Sequence, residues 1–199
     1  MAIWISEEQV TDKLINGLLR QEYRGYDSAG IALLNGKGVN VVKQPGKVRE
    51  LEEAIKASPI SATCGIAHTR WATHGPPNQP NSHPQTSTDG TIALVHNGII
   101  ENADVIRAKL QSEGYEFVSE TDTEVVVKLI DQLWSEDVLL EDTVAAALRQ
   151  VEGAYGIAVV SSRDSNKIVV ARNGSPLLIG VGQENNPHFV ILADPYSFP

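Results

Sequence analysis

The sequence predicts an α+β protein whose largely antiparallel sheets carry helices on their outer faces. The first reason is the order of patterns along the chain: short apolar runs typical of strands, then segments with helical spacing, then four more strand-like runs. The second reason is length, since 199 residues are enough for one substantial core. Because neither a repeat nor a linker interrupts the pattern, we expect residues 1–199 to form a single domain.

The N-terminal quarter contains patterns for two helices around a hairpin. Val and Leu recur at helical spacing over residues 7–21. Two apolar runs, AGIALLN and VNVVKQ, flank Gly36 and Gly38 and predict a β-hairpin. A second helix is predicted over residues 47–57. The opening run AIWIS is a candidate for part of a first strand, although five residues are too short a pattern to assign.

The remainder of the chain supplies further strands around three helices. ATCGIAH and TIALVH are typical of buried strands, and the proline-rich segment between them, GPPNQPNSHPQTSTDG, is expected to be loop without a ladder strand. Helical patterns follow over residues 101–112, 121–134 and 141–153. Thr121 and Glu124 have capping-box spacing, and Gly153 is expected to end the third helix. The last four apolar runs, YGIAVVSS, KIVVARN, PLLIGVG and HFVILAD, predict strands.

Composition and charge are those of an ordinary soluble protein. Hydrophobic residues make up 42% of the chain and charged residues 21%. A net charge of −9 without a cluster of Lys and Arg argues against nucleic-acid binding. No apolar run approaches the roughly 18 residues of a membrane span, and the first residues lack a secretory pattern. Since the single cysteine excludes an internal disulfide, we expect a cytoplasmic protein.

Three groups of polar residues stand where strand patterns end. They are HTRWATHG at residues 68–75, HNGIIEN at residues 96–102 and SETDTE at residues 119–124. Loops at strand ends are where a rigid scaffold usually presents a site. These three groups are therefore the candidate functional residues.

Together the groups contain what recognition of a free α-amino acid requires. Arg70 can bind a carboxylate with two parallel N–H donors, and Asp122 can accept hydrogen bonds from an ammonium group. Asn97 and Gly98 offer a side-chain amide and a backbone N–H that could hold the oxygen of a tetrahedral intermediate. Simpler interpretations stay open: a surface ion pair for Arg70, helix-start electrostatics for Asp122, and a type I′ turn for Asn97-Gly98.

Neither a metal nor a cofactor is expected. The five histidines, His68, His74, His83, His96 and His188, share no spacing typical of zinc ligands, and there is no second cysteine. The glycine-containing stretch GKGVN lacks the following helix that a phosphate-binding loop needs.

A series of longer motifs resembles one enzyme family. EYRGYDSAGIA, HTRWATHG, NSHPQ, VHNGIIEN, SETDTE, EGAYGIAVV and GSPLLIG look like the class II glutamine amidotransferase (glutaminase) domain of glucosamine-6-phosphate synthase, the isomerising glutamine:fructose-6-phosphate aminotransferase. The resemblance implies an N-terminal-nucleophile hydrolase fold, an αββα sandwich with antiparallel sheets. It also implies hydrolysis of L-glutamine to glutamate and ammonia, which sugar-isomerase domains or a full-length synthase subunit would use to make glucosamine 6-phosphate.

The resemblance also assigns roles to residues. Arg70 resembles the residue that binds the glutamine α-carboxylate, and Asp122 the acceptor for its α-ammonium group. Asn97 and Gly98 look like the oxyanion hole. In the same family Thr73 and His74 belong to a loop that closes over glutamine, and Trp71 matches a tryptophan linked to gating of the ammonia path.

The family's nucleophile has no counterpart at the start of this chain. The family begins Met-Cys-Gly-Ile, and after Met removal the thiolate attacks the amide while its own α-amino group serves as base. Counting back from EYRGYDSAG without gaps, this chain starts about three residues late. Cys64 sits inside a strand-like run without a free amine, so a buried structural thiol is the better interpretation than a nucleophile.

Three functional hypotheses follow. The first is a glutaminase domain, incomplete at both ends and without sugar-isomerase domains, that binds glutamine and hydrolyses little of it. The second is a non-catalytic glutamine-binding or partner module that associates with a complete synthase. The third is a working enzyme whose true start lies upstream.

Overall fold

The structure is a computed structural model that describes residues 1–6, 9–36, 38–72, 75–182 and 188–192, the last of these by their backbone. It contains two antiparallel sheets stacked face to face, with helices on the outer face of each. The strands are β1 (Ala2–Ser6), β2 (Ser28–Asn35), β3 (Gly38–Pro45), β4 (Cys64–Arg70), β5 (Gln85–Thr86), β6 (Ile92–Ile100), β7 (Gly153–Ser161), β8 (Asp164–Asn173), β9 (Leu178–Val181) and β10 (His188–Leu192). The α-helices are α1 (Thr11–Gln21), α2 (Val48–Ala57), α3 (Ala103–Ser112), α4 (Asp122–Leu133) and α5 (Leu140–Leu148).

The first sheet has the strand order β3-β2-β4-β1-β10-β9, and the second has the order β5-β6-β7-β8. Every strand pair in both sheets is antiparallel. The predicted sheet type is therefore confirmed. In the first sheet β4 lies beside both β1 and β2, and in the second β6 lies beside β7, so the two strands that precede the candidate motifs are held firmly.

Three groups of buried apolar side chains define the layers. Leu14, Leu18 and Leu51 pack α1 and α2 against the first sheet. A second group packs α3, α4 and α5 against the other sheet. Between the sheets lies an interlayer core, which consists of Met1, Ile3, Ala32, Leu34, Cys64, Ile66, Ala93, Val95, Ala158 and Val160. The order of layers is helix, sheet, sheet, helix, as the αββα expectation requires.

The opening run AIWIS forms an interior strand. Ala2 pairs with Ala67 of β4 on one side and with Leu192 of β10 on the other. The sequence pattern alone was too short to assign this strand. The strand is defined by hydrogen bonds to two neighbouring strands that are distant in sequence.

Two boundaries differ from the sequence expectation. The proline-rich loop was expected to contain no ladder strand, but Gln85 and Thr86 pair with Leu94 and Ala93 as β5. These residues follow the last proline of the segment, so their N–H groups are available for a ladder. Helix α5 ends at Leu148 rather than at a glycine cap.

Gly153 has a different role from the predicted one. It opens β7 opposite Ile100 with φ of 122°, and a Cβ there would lie 2.2 Å from the Ile99 carbonyl oxygen. Glycine is required here by the close contact between strands and by the positive φ. A helix C-cap also selects glycine, so the sequence alone does not distinguish the two roles.

No helix among the described residues is long and apolar enough to cross a membrane. The first predicted helix, over residues 7–21, is observed from Thr11 onward, and residues 7 and 8 lie outside the described residues. Residues 193 and 194, at the end of the last predicted strand, also lie outside them.

Candidate functional site

A pocket opens where the ends of β4 and β6 meet the start of α4. Its cavity volume is about 280 Å³, a size for a small molecule. The residues that line it come from both sheets, from helices α1 and α4 and from the loops between elements: Met1, Gln21, His68, Thr69, Arg70, Trp71, His83, His96, Asn97, Gly98, Thr121, Asp122, Ser175 and Pro176.

The pocket brings together five of the seven predicted site residues. Arg70, Trp71, Asn97, Gly98 and Asp122 all line it, although they come from three separate motifs. The other two, at positions 73 and 74, lie outside the described residues. Because the five share one cavity, a single small ligand can contact them together.

Arg70 is the last residue of β4 and pairs with Ser28 of β2. The side chain is buried, with one guanidinium nitrogen donating to the Pro76 carbonyl oxygen at 3.4 Å. Burial lowers the pKa of Arg70 from its ordinary value, while the carboxylates of Asp27 and Asp122 act in the opposite direction. A largely buried guanidinium beside a cavity favours an anionic ligand group. The surface ion-pair interpretation of Arg70 is therefore wrong.

Asp122 is the first residue of α4 and is buried beside the end of β6. Its Oδ2 accepts a hydrogen bond from the Ile100 N–H at 2.9 Å. Oδ1 lies 3.7 Å from His96 Nδ1. The helix start accounts for a carboxylate at this position, since the helix dipole stabilises negative charge there. Its location in the pocket also makes it a candidate acceptor for a ligand ammonium group.

The start of α4 is fixed by a modified capping box. Thr121 Oγ1 accepts from the Glu124 N–H at 3.3 Å, as the spacing predicted. The Glu124 carboxylate, however, accepts from the N–H groups of Val118 and Ser119, at 3.0 and 2.7 Å, instead of from the capping residue. The Glu124 side chain thus stabilises the loop before the helix as well, and this loop delivers Asp122 to the pocket.

Asn97 and Gly98 lie within β6, opposite Gly156 and Tyr155 of β7. The type I′ turn interpretation of this dipeptide is wrong, because the strand continues to Ile100. Gly98 has φ of 131°, and a Cβ there would lie 2.0 Å from the Ala154 carbonyl oxygen. Glycine is required by this contact, and Gly98 is one of the residues that line the pocket.

Three buried histidines that the sequence patterns left without a role line the same pocket. His68 Nε2 lies 2.7 Å from Asn97 Oδ1, and the His68 and His83 rings stack with centroids 4.5 Å apart. His96 Nδ1 lies 3.1 Å from Thr123 Oγ1. Each imidazole has one buried nitrogen without a hydrogen-bond partner: Nδ1 of His68, Nδ1 of His83 and Nε2 of His96. No local spacing signals this cluster, because its members come from three different segments.

Among the described residues, no group of three His, Cys, Asp or Glu side chains is arranged to hold a metal ion. Burial lowers the pKa of both His68 and His83 well below the ordinary value. Both imidazoles are therefore neutral near pH 7 and present lone pairs or single N–H donors to the cavity.

Met1 and Gln21 line the pocket together with these histidines. The Met1 nitrogen donates to Gln21 Oε1 at 2.7 Å, and the Met1 side chain belongs to the interlayer core. The ungapped count had placed Met1 about three residues beyond the family's nucleophile, yet Met1 itself lines the pocket with Asn97 and Gly98.

Cys64 does not line the pocket. It pairs with Leu34 and Ile5 inside the first sheet, and burial raises the pKa of its thiol to about 12. A thiol in this state is a poor nucleophile, so the structural interpretation of Cys64 fits its surroundings.

Comparison with known proteins assigns the chain to a family. The family model described as "Glutamine amidotransferase domain" matches residues 68–191. Glutamine–fructose-6-phosphate aminotransferase [isomerizing] of Chlorobaculum tepidum is 55% identical over 184 residues, which cover 90% of this chain and 30% of that protein. The protein of the same name from Clostridium acetobutylicum is 46% identical over 180 residues, which cover 90% and 29%. The chain thus spans about 30% of the length of these curated relatives.

A solved structure shows the same fold. Glutamine phosphoribosylpyrophosphate amidotransferase from B. subtilis, complexed with ADP and GMP, superposes with a TM-score of 0.83 at 26% identity. The match covers 100% of this chain and 43% of that one. The expected α+β fold of N-terminal-nucleophile type is confirmed.

Proposed function

Because the chain belongs to the glutamine amidotransferase domain family, we propose that its pocket binds free L-glutamine. The observation that carries the proposal is the presence of Arg70 and Asp122 in one cavity with Asn97 and Gly98. The guanidinium would bind the α-carboxylate, and the Asp122 carboxylate would accept from the α-ammonium group. The side-chain carboxamide of glutamine would then reach Asn97 and Gly98.

The proposal includes the residues at positions 73 and 74 and Trp71 as parts of the cover over the ligand. Trp71 supports this role by its location: it lines the pocket, yet 60% of its surface is exposed. Its ring meets that of Tyr26 edge to face, with centroids 5.9 Å apart. An aromatic pair at the mouth would shield the bound amino acid from water.

Hydrolysis of glutamine to glutamate and ammonia is proposed to be slow in this 199-residue chain. The only cysteine is buried away from the pocket, and Met1 stands beside the donors that would hold the oxyanion. A thioether cannot form the thioester through which the family's thiolate works. Within these 199 residues, binding would thus be retained although the single cysteine does not stand in the pocket to act as nucleophile.

Isothermal titration calorimetry tests binding. L-glutamine should bind, and D-glutamine should bind more weakly by at least tenfold. Only one enantiomer can place its α-carboxylate at Arg70 and its α-ammonium group at Asp122 while the side chain reaches Asn97. Arg70→Ala and Asp122→Asn should each weaken L-glutamine by about 10- to 100-fold, the value of a charge-assisted hydrogen bond. Matched controls are Arg49→Ala and Asp142→Asn, both on exposed helix positions. Equal affinity in all variants would refute the proposed site.

A glutamate-release assay tests the chemistry. The unmodified chain should release little glutamate above the buffer rate. Met1→Cys, produced with a free amine by cleavage of an N-terminal fusion, should gain turnover of at least 100-fold, because the oxyanion donors are already placed. The same variant with one extra glycine before the cysteine is the control, since its thiol lacks an adjacent amine. Turnover by the unmodified chain as fast as that of Met1→Cys would contradict the proposal.

A second candidate function is association with a complete synthase subunit or with sugar-isomerase domains. The exposed rings of Trp71 and Tyr26 at the pocket mouth favour it, because solvent-exposed aromatic side chains are common in protein interfaces. Co-purification with a full-length aminotransferase tests it, with Trp71→Ala as the variant expected to weaken the complex. The two functions are compatible, since Arg70 and Asp122, which would bind the amino acid, are buried while the two rings are exposed.

A further inference from the structure

We propose that His68 is a positioning residue that holds the Asn97 carboxamide with its N–H₂ group directed at the ligand. The inference rests on the proposed function, because it needs Asn97 to face the side-chain carboxamide of a bound glutamine. His68 is not among the seven site residues predicted from the sequence.

The first step is the contact itself. His68 Nε2 and Asn97 Oδ1 are 2.7 Å apart, which is short and strong for an N–H···O hydrogen bond. An amide oxygen can only accept, so Nε2 must carry the proton. This hydrogen bond joins β4 of the first sheet to β6 of the second, across the floor of the pocket.

The second step is the protonation state. His68 is buried, and burial lowers its pKa well below the ordinary value, so the ring holds a single proton. With that proton on Nε2, Nδ1 is a bare acceptor, and this atom has no hydrogen-bond partner. The opposite tautomer would leave a buried N–H donor without an acceptor, which is rarer and more costly in folded proteins.

The third step is the support behind the ring. The His68 backbone pairs with Gly30 of β2, and the His83 ring packs against the imidazole with ring centroids 4.5 Å apart. A Cβ on Gly30 would lie 2.1 Å from the His83 carbonyl oxygen, so the segment carrying His83 rests directly on the strand. The His83 ring packed against the imidazole and the hydrogen bond to Asn97 together hold the imidazole in this orientation.

The consequence concerns the electrostatics of the ligand site. With Oδ1 bound to His68, the Nδ2 hydrogens of Asn97 are the groups that can face a carbonyl oxygen or an oxyanion. A carboxamide turned by 180° would present its oxygen to the ligand oxygen and repel it. His68 thus selects the productive orientation without touching the reacting atoms.

Nuclear magnetic resonance of the ligand-free protein tests the hydrogen bond directly. Long-range ¹H–¹⁵N correlation of the imidazole should show the Nε2–H tautomer of His68 at pH 7.5. An Nδ1–H tautomer would overturn the proposal. This measurement uses no ligand, so it stands whether or not glutamine binds.

Calorimetry with two amino acids tests the consequence. L-norvaline has the carbon chain of glutamine without the carboxamide, so the ratio of its Kd to that of L-glutamine reports contacts to the carboxamide alone. His68→Leu should lower this ratio about fivefold, the value of one neutral hydrogen bond, and leave norvaline affinity nearly unchanged. His68→Gln retains a donor near the place of Nε2 and should restore most of the ratio.

A double-mutant comparison separates positioning from direct contact. Asn97→Ala should lower the ratio as His68→Leu does, and the double variant should lower it no further. An additional loss in the double variant would show that His68 acts independently of Asn97 and would refute the inference. Thr143→Val, which removes a buried hydrogen-bond donor on α5, is the control for lost stability. Failure of every variant to bind either amino acid, with the Nε2–H tautomer present, would refute the proposed function instead.

Discussion

The carboxylate of Asp27 accepts a hydrogen bond from the Ala72 N–H at 2.8 Å, just beyond the end of β4. The backbone of Asp27 is also engaged: its N–H donates to the Arg70 carbonyl oxygen, and its carbonyl accepts from Gly46. One residue thus fixes the start of β2, the turn before α2 and the segment that carries Arg70. It therefore anchors that segment to the start of β2.

The first prediction concerns this anchor. Asp27→Ala should weaken L-glutamine binding by about 3- to 10-fold, because the segment that holds Arg70 loses a charge-assisted hydrogen bond. The unfolding free energy should fall by about 2 kcal/mol in urea denaturation. Asp12→Ala, on the first turn of α1, is the comparison variant. Unchanged glutamine affinity in Asp27→Ala would show that Arg70 is positioned by other contacts.

Gly98 gives the second prediction. Gly98→Ala should destabilise the protein by about 3 kcal/mol or more, because the new methyl group meets the Ala154 carbonyl at a backbone φ of 131°. Gly90→Ala is a matched control, since its φ of 72° is also positive but nothing lies within 4 Å of the added Cβ. It should cost only about 1–2 kcal/mol, from backbone strain alone. Equal losses in the two variants would contradict the steric explanation.

The third prediction is a dependence of stability on pH. The pKa values of His68 and His83 lie well below normal in the folded protein, whereas in the unfolded chain they return to about 6.5. Below about pH 6.5 the unfolded state therefore binds more protons, and the unfolding free energy falls as pH decreases. The slope should reach about 1.4 kcal/mol per pH unit for each histidine and should vanish above pH 7.5.

Urea denaturation at pH 7.5, 6.5 and 5.5 measures this slope. His68→Gln and His83→Gln should each remove about half of it, since a glutamine side chain does not titrate. A wild-type unfolding free energy that stays constant between pH 7.5 and 5.5 would show that these imidazoles are not held neutral.

Cys64 provides the fourth prediction. A thiol whose pKa is raised to about 12 in a buried strand should react with Ellman's reagent at pH 8 at least 100-fold more slowly than in the unfolded chain. Cys64→Ala should retain glutamine binding and lose about 1–2 kcal/mol of stability from the smaller core side chain. Rapid labelling of the native protein, with loss of glutamine binding on modification, would return Cys64 to consideration as a functional residue.

Where short-range patterns decide the structure, the sequence was sufficient. Helix α2 and the hairpin of β2 and β3 fall where apolar spacing places them. Arg70 and Asp122 were proposed together because a cation and an anion from separate motifs can bind the two charged groups of an α-amino acid, although each taken singly had a simpler interpretation; both line the same pocket. Asn97-Gly98 could not be decided locally, since a hairpin turn and a strand needing close contact with Ala154 both select glycine.

The remaining features depend on partners distant in sequence. Strand β1 is defined by β4 and β10, and Asp27 by a loop 45 residues away. His68 acquires its role only from Asn97, which is 29 residues later in another sheet. No local periodicity encodes such contacts, so pattern analysis found the residues with strong individual chemistry and missed those that orient them.

The stacking of two sheets has a consequence for how such a pocket could be retuned. Arg70 belongs to one sheet and Asn97 to the other, so the distance between the proposed α-carboxylate-binding and carboxamide-binding groups depends on the spacing between the sheets. Ala93 and Ala158 are small side chains in the interlayer core and contribute to that spacing. Substituting them with larger side chains or with glycine would increase or decrease the distance between these two groups and would thus change which amino acid fits. The side chains proposed to contact the ligand would stay the same.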